Sequence, residues 1–131
     1  MLNQSGVRTV AGTTRKTILV DEMNSTAFSC KIANTGVTAV GGKKIVKAGT
    51  PLAGSLLARD TAFTVAADSG DQTKTSNAVG LLLHDVDVTG GTANGQVLVF
   101  GFVDVSKLDS DVVTKLTDAA KANMKMIQFV K

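Results

Sequence analysis

The chain has 131 residues, with one Cys, one His, one Pro, five Phe, and neither Trp nor Tyr. A single Cys excludes a disulfide framework and a thiolate-rich zinc site. One Pro excludes a collagen-like or proline-rich linker chain, and the scarcity of aromatics excludes a stacking platform for single strands and an aromatic paratope. The formal net charge of +3 is unevenly spread: residues 1–47 hold seven Lys/Arg against two acids, giving +5, and residues 48–131 hold seven against nine, giving −2.

Residues 1–31 read as a basic, extended N-terminal arm. They are rich in Asn, Gly, Ser and Thr, with one short strand expected at 16–20 and a break over 21–25. The opening residues lack a basic stretch followed by an apolar one, so no secretory signal is expected. No apolar run reaches the 18 residues that a membrane-spanning helix needs, and synthesis in the cytosol follows as the expectation.

Residues 32–131 read as a β-rich domain. Strands are predicted over 37–40, 43–47, 63–67, 79–83 and 97–105, with turns at Gly41-Gly42, Gly49-Thr50-Pro51, Asp68 to Asp71, Gly90-Gly91 and Asn94-Gly95. Pro51 is expected in a turn or at a strand start, where no ladder N–H is required. The run 96–105 is the strongest strand. It is apolar on both alternating faces, which predicts a central position covered on both sides. Gly101 within it predicts a bulge or a close backbone approach, and residues 79–83 are its expected neighbour.

One helix is predicted over about 110–124, capped by Asp109 or Ser110. Its apolar stripe is Val112, Val113, Leu116, Ala120 and Met124, continuing to Ile127, and Asp111 with Lys115 forms an i,i+4 pair. Residues 127–130 read as a closing edge strand. The fold class is therefore mainly β (α+β): a small β-barrel or sandwich-like domain with one C-terminal α-helix and the N-terminal arm.

Candidate chemistry is sparse, and each candidate has a simpler reading. Alternation in His84-Asp85-Val86-Asp87-Val88 turns Asp85 and Asp87 to one side and the imidazole to the other, so the carboxylates read as turn formers. Cys30 reads as a buried thiol, and only the fold could bring His84 to it. Val40-Gly41-Gly42-Lys43-Lys44 lacks the second half of a phosphate-binding loop and opens no helix. Lys43, Lys44 and Lys47 form a basic patch without interleaved aromatics, and no direct nucleic-acid binding is expected. No catalytic residue, cofactor site or metal site is assigned.

One succession of motifs carries a resemblance. Lys47-Ala48-Gly49-Thr50-Pro51-Leu52-Ala53-Gly54 is followed by Arg59-Asp60-Thr61-Ala62-Phe63-Thr64-Val65, and then by Ala78-Val79-Gly80-Leu81-Leu82-Leu83-His84-Asp85-Val86-Asp87-Val88. Next come Gly95-Gln96-Val97-Leu98-Val99-Phe100-Gly101-Phe102-Val103-Asp104, Lys107-Leu108-Asp109, the amphipathic helix, and Ile127-Gln128-Phe129-Val130-Lys131. This order resembles the head fibre or head decoration proteins of tailed bacteriophages over about residues 43–131.

The resemblance implies a non-enzymatic virion protein on the outer capsid surface, made in the bacterial cytoplasm and assembled as a homotrimer. Its implied partners are the major capsid protein and itself, with no membrane. Such proteins commonly dock through their N-terminal segment, which points to Arg8, Arg15 and Lys16 as capsid-docking residues. Two other classes stand beside this one. The first is an adhesion or ligand-binding virion module using the loop 84–95, with a cation held through Asp85 and Asp87. The second is a small hydrolase using Cys30 and His84.

Overall fold

The computed structural model describes residues 17–70 and 75–131. The fold is mainly β. Ten strands run in order: β1 (Thr26–Ile32), β2 (Ile45–Val46), β3 (Pro51–Ala53), β4 (Thr64–Val65), β5 (Asp68–Ser69), β6 (Thr75–Ser76), β7 (Ala78–Leu82), β8 (Val86–Asp87), β9 (Ala93–Asp104) and β10 (Ile127–Val130). Two short helices, α1 (Ser110–Lys115) and α2 (Asp118–Asn123), lie between β9 and β10.

The main sheet has the order β1-β9-β7-β3-β4, with β10 also paired to β9; β2-β8 and β5-β6 form two small sheets. The sheets do not close into a barrel. β9 is the spine. It pairs antiparallel with β1 and β7 and parallel with β10. A parallel pair needs a long crossover, and the two helices supply it.

Alternation along β7 and β9 divides the interior. Leu81 and Leu98 join a core with Ile18, Leu19, Val103, Val112, Leu116, Ala120, Met124 and Ile127. Their chain neighbours Leu82 and Val97 join a second core with Leu52, Phe63, Val46, Val86 and Val88. Successive side chains of a strand point to opposite faces, so these cores lie on the two sides of the sheet. The helices cover one side, and the β2-β8 layer with Phe63 covers the other.

Several elements match the sequence reading. Pro51 starts β3, β7 is the neighbour of β9, and residues 127–130 form a strand. The register of β1 against β9 shifts between Thr26 and Ala27, which leaves one extra residue on β9 just before Gly101. Gly101 itself has φ +149°, and a Cβ there would meet Ser25 Cβ at 3.3 Å. The expected irregularity is therefore real, with the bulge itself just ahead of the glycine and a close approach at it.

Four expectations are corrected. The predicted arm does not extend to residue 31. Ile18 and Leu19 are core residues, and Thr26–Ile32 is a strand of the main sheet. Cys30 and Ile32 alternate into the second core, which is what orders this stretch. Between Leu19 and β1, Asp21 caps a 3-10 turn at Glu22–Asn24 by accepting from the Met23 N–H at 3.0 Å.

The single helix at 110–124 is two helices. Thr117 is extended, and its Oγ1 accepts from the Ala120 N–H at 3.1 Å. Threonine satisfies a helix start better than it fills a helix interior, so it ends α1 and caps α2. The apolar stripe survives the break, except that Val113 is 39% exposed.

Residues 37–40 form no strand. Only Val40 bridges, to Lys43, around Gly41-Gly42 with φ +62° and +81°. Positive φ at both central residues is the tight hairpin geometry, and glycine adopts it without steric cost.

The i,i+4 pairing of Asp111 also gives way to a longer-range one. Lys47 Nζ lies 3.1 Å from Asp111 Oδ2 and 3.3 Å from Asp109 Oδ2. This ties the segment before β3 to the start of α1. Hydrogen bonding to Lys47 lowers the Asp111 pKa from its ordinary 3.8, and the same bond raises Lys47 above 10.5. Asp111 therefore contributes stability above pH 3.8 that is lost as the pH falls through its folded value. Lys47 contributes below pH 10.5 and loses that as the pH rises through its folded value.

All three groups are solvated, so the effect is small. Asp111→Asn is expected to lower the melting temperature by no more than a few degrees at neutral pH and low salt. The difference should vanish in strong acid and near 1 M salt, where the Debye length is about 3 Å. Scanning calorimetry of both proteins across pH checks this.

Candidate functional site

The capsid-docking residues Arg8, Arg15 and Lys16 lie outside the described residues. The other sequence candidates are placed. Asp85 Oδ1 accepts from the Ala48 N–H at 2.7 Å, and Asp87 Oδ1 accepts from the Thr89 N–H at 2.9 Å. Hydrogen bonds from Thr89 hold the Asp87 pKa below its ordinary value. Val86 and Val88 are buried while Asp87 is exposed, as the alternation predicted. Each carboxylate thus fixes its own stretch of backbone. No group of three or more His, Cys, Asp or Glu that could hold a metal ion occurs among the described residues.

Cys30 is buried at 6% exposure. Burial raises its thiol pKa, opposed by the nearby Arg59 charge, so its thiolate, the nucleophilic form, is disfavoured. Arg59 Nη1 donates to the Ser29 carbonyl at 2.8 Å, and its guanidinium lies 5.4 Å from the Phe28 ring centroid. It thereby braces β1. His84 Nδ1 is buried without a hydrogen-bond partner among the described residues. No hydrogen bond joins Cys30 to His84 among the described residues.

The feature that sequence reading missed is an apolar corner at the far end of β9. The run 96–105 was expected to be covered on both sides, and its first half is: Val97 and Leu98 are fully buried. Its second half is not. Phe100 and Phe102 are 40% and 42% exposed. Among the described residues, the second core includes Val97 and the partly buried Val99 but neither Phe100 nor Phe102.

Flanking chain extends the corner. The Val20 N–H donates to the Phe102 carbonyl at 2.9 Å, and β10 sets Gln128 beside Phe102. Val103 and Ile127 point into the core, so their strand neighbours Phe102 and Gln128 point out. Met126, whose carbonyl accepts from the Gly101 N–H at 3.3 Å, is 63% exposed; Val20 is 56% exposed and Val130 39%. Three of the five phenylalanines, Phe28, Phe100 and Phe102, are more than a third exposed.

Fold and surface together define a small mainly-β protein built on one long strand, with an uncovered apolar corner at that strand's C-terminal end. No protein-family model matches the chain, and no curated protein matches it either. No helix among the described residues is long and apolar enough to cross a membrane.

Proposed function

We propose that this chain is a structural capsid decoration protein, of the head fibre or cement type, that binds the outer face of a tailed-phage head as a homotrimer. It is non-enzymatic in this reading, and its partners are the major capsid protein and its own sister copies. The observation that carries the reading is the apolar corner at Phe100, Phe102, Val20, Met126 and Val130. Large apolar side chains exposed together at one end of a sheet are a mark of an interaction site. Homo-oligomers with closed symmetry are the commonest way to bury one. The motif succession over residues 43–131 supports the capsid setting.

The experiment uses phage heads lacking this protein. Added back, the full chain should sediment with the heads and raise the temperature at which they release DNA. Chain that stays in the supernatant at every concentration overturns the capsid reading. The segment 1–16, which precedes the described residues, is the expected anchor on the shell. Its removal takes away none of the described residues, and loss of head binding without loss of folding is the expected result. Many copies on one shell would turn weak single contacts into avid coating.

A further inference from the structure

We propose that the cleft at the opposite end of β9 from the apolar corner binds a neutral polyhydroxylated ligand, a saccharide unit. The cleft measures about 490 Å³ and is lined by Ser29, His84, Asp85, Val86, Asn94, Gly95 and Gln96. That size falls within the roughly 300–1,000 Å³ of small-molecule sites. Its side chains come from three elements: Ser29 from β1, Asn94 and Gln96 from the start of β9, and His84 and Asp85 from the turn after β7. Ser29 and Gln96 are direct cross-strand partners, which fixes the wall of the cleft on the most firmly paired part of the sheet.

The chemistry of the lining selects the ligand class. The hydroxyl and the two amides offer donors and acceptors together, whereas the Asp85 carboxylate only accepts. Asp85 is held in place through one oxygen by the Ala48 N–H, and its other oxygen takes no hydrogen bond among the described residues. An anion would be repelled by this carboxylate, and the Ser29 Oγ already accepts from Arg59 Nη1 at 3.3 Å, which leaves its O–H to donate to a ligand. An ammonium group would leave the amide N–H groups without acceptors. A hydroxyl both donates and accepts, and a polyol brings several at once.

His84 gives an independent indication. Its Nδ1 is buried with no partner among the described residues, an arrangement that native proteins seldom leave uncompensated. His84 lines the cleft, so a ligand hydroxyl seated there would bring a hydrogen-bonding partner to this imidazole.

The position suits the role. From Gln96 to Phe102 the strand rises about 20 Å, so burying the apolar corner in an assembly leaves the cleft open. The inference concerns the isolated protein and does not depend on attachment to a shell.

Nitrogen-resolved NMR titration of the full chain tests it, with glucose, galactose, mannose and N-acetylglucosamine as separate probes and inorganic phosphate as the anion control. Saturable shifts confined to Ser29, His84, Asn94 and Gln96 are expected with at least one sugar, with a Kd on the order of 1–10 mM. The double variant Asn94→Val/Gln96→Val, altered at surface strand positions, should melt as the parent does and weaken binding at least tenfold. His84→Phe puts a larger, six-membered aromatic ring in place of the imidazole, removes both nitrogens, and should weaken binding as well. No shift with any of the four sugars overturns the proposal. So do shifts produced by phosphate alone, and unchanged sugar binding in either variant.

Discussion

Gly80→Ala is expected to remove a large part of the stability of this fold. Gly80 lies in β7 between β3 and β9, paired with Leu52. A Cβ at this position would collide with the backbone carbonyl oxygen of Leu98 and come within 2.7 Å of Val97 Cγ2. Side chains can swing aside, but the Leu98 carbonyl belongs to the central strand. Relief therefore requires β7 and β9 to separate where Leu81 and Leu98 join the first core and Leu82 and Val97 join the second.

Overpacking costs about 1–3 kcal/mol where neighbours can shift, and a clash with backbone belongs at the upper end of that range. Against a total stability of roughly 5–15 kcal/mol this is a large fraction. The urea midpoint should fall by about 1–2 M. Gly90→Ala is the control, since a Cβ there meets nothing within 4 Å. It should unfold at the parent's midpoint. If Gly80→Ala does the same, the packing of β7 against β9 is not as described.

Phe102→Asp is expected to do the opposite: spare the fold and abolish self-association. Phe102 is 42% exposed and belongs to neither core, so an aspartate there remains solvated. In an assembly that buries the corner, the same aspartate would be desolvated without a partner. Aromatic residues at the centre of an interface commonly contribute 2 kcal/mol or more, so self-association should weaken by about 30-fold or more. Sedimentation velocity across a concentration series reads the change, and thermal melting verifies the fold. A variant that associates as the parent does would remove the corner from the interface.

Residue-level reading reached some of this architecture and stopped at identifiable points. β9 was legible because its apolar run is longer than any loop tolerates. Asp87 was legible as a backbone-fixing group because alternation separates it from the buried Val86 and Val88, whereas the bend at 83–84 breaks the alternation and sets Asp85 beside His84 at one cleft. The break at Thr117 was hidden by the apolar stripe, which keeps helical spacing across it: Leu116, Ala120 and Met124 are all buried, so periodicity does not register that the backbone between them leaves the helix. The local signal was Thr117-Asp118, a cap followed by an acid in the first turn.

β1 was passed over because only Cys30 and Ile32 of its seven residues are buried, and a polar edge strand resembles an arm. The apolar corner was not legible at all. Phe100 and Phe102 look like core residues in the run 96–105. Their exposure depends on where the β2-β8 layer ends, a property of tertiary packing and not of the strand itself. The cleft at Ser29, His84, Asn94 and Gln96 is similar, since β1 and the turn after β7 meet only through β9.

The central claim is that this chain buries its apolar corner against copies of itself. Multi-angle light scattering on the purified full chain tests it most directly. The account predicts a mass three times that of the 13.5 kDa chain, falling to the single-chain mass in Phe102→Asp. A parent protein that stays at 13.5 kDa over the whole concentration range would contradict it.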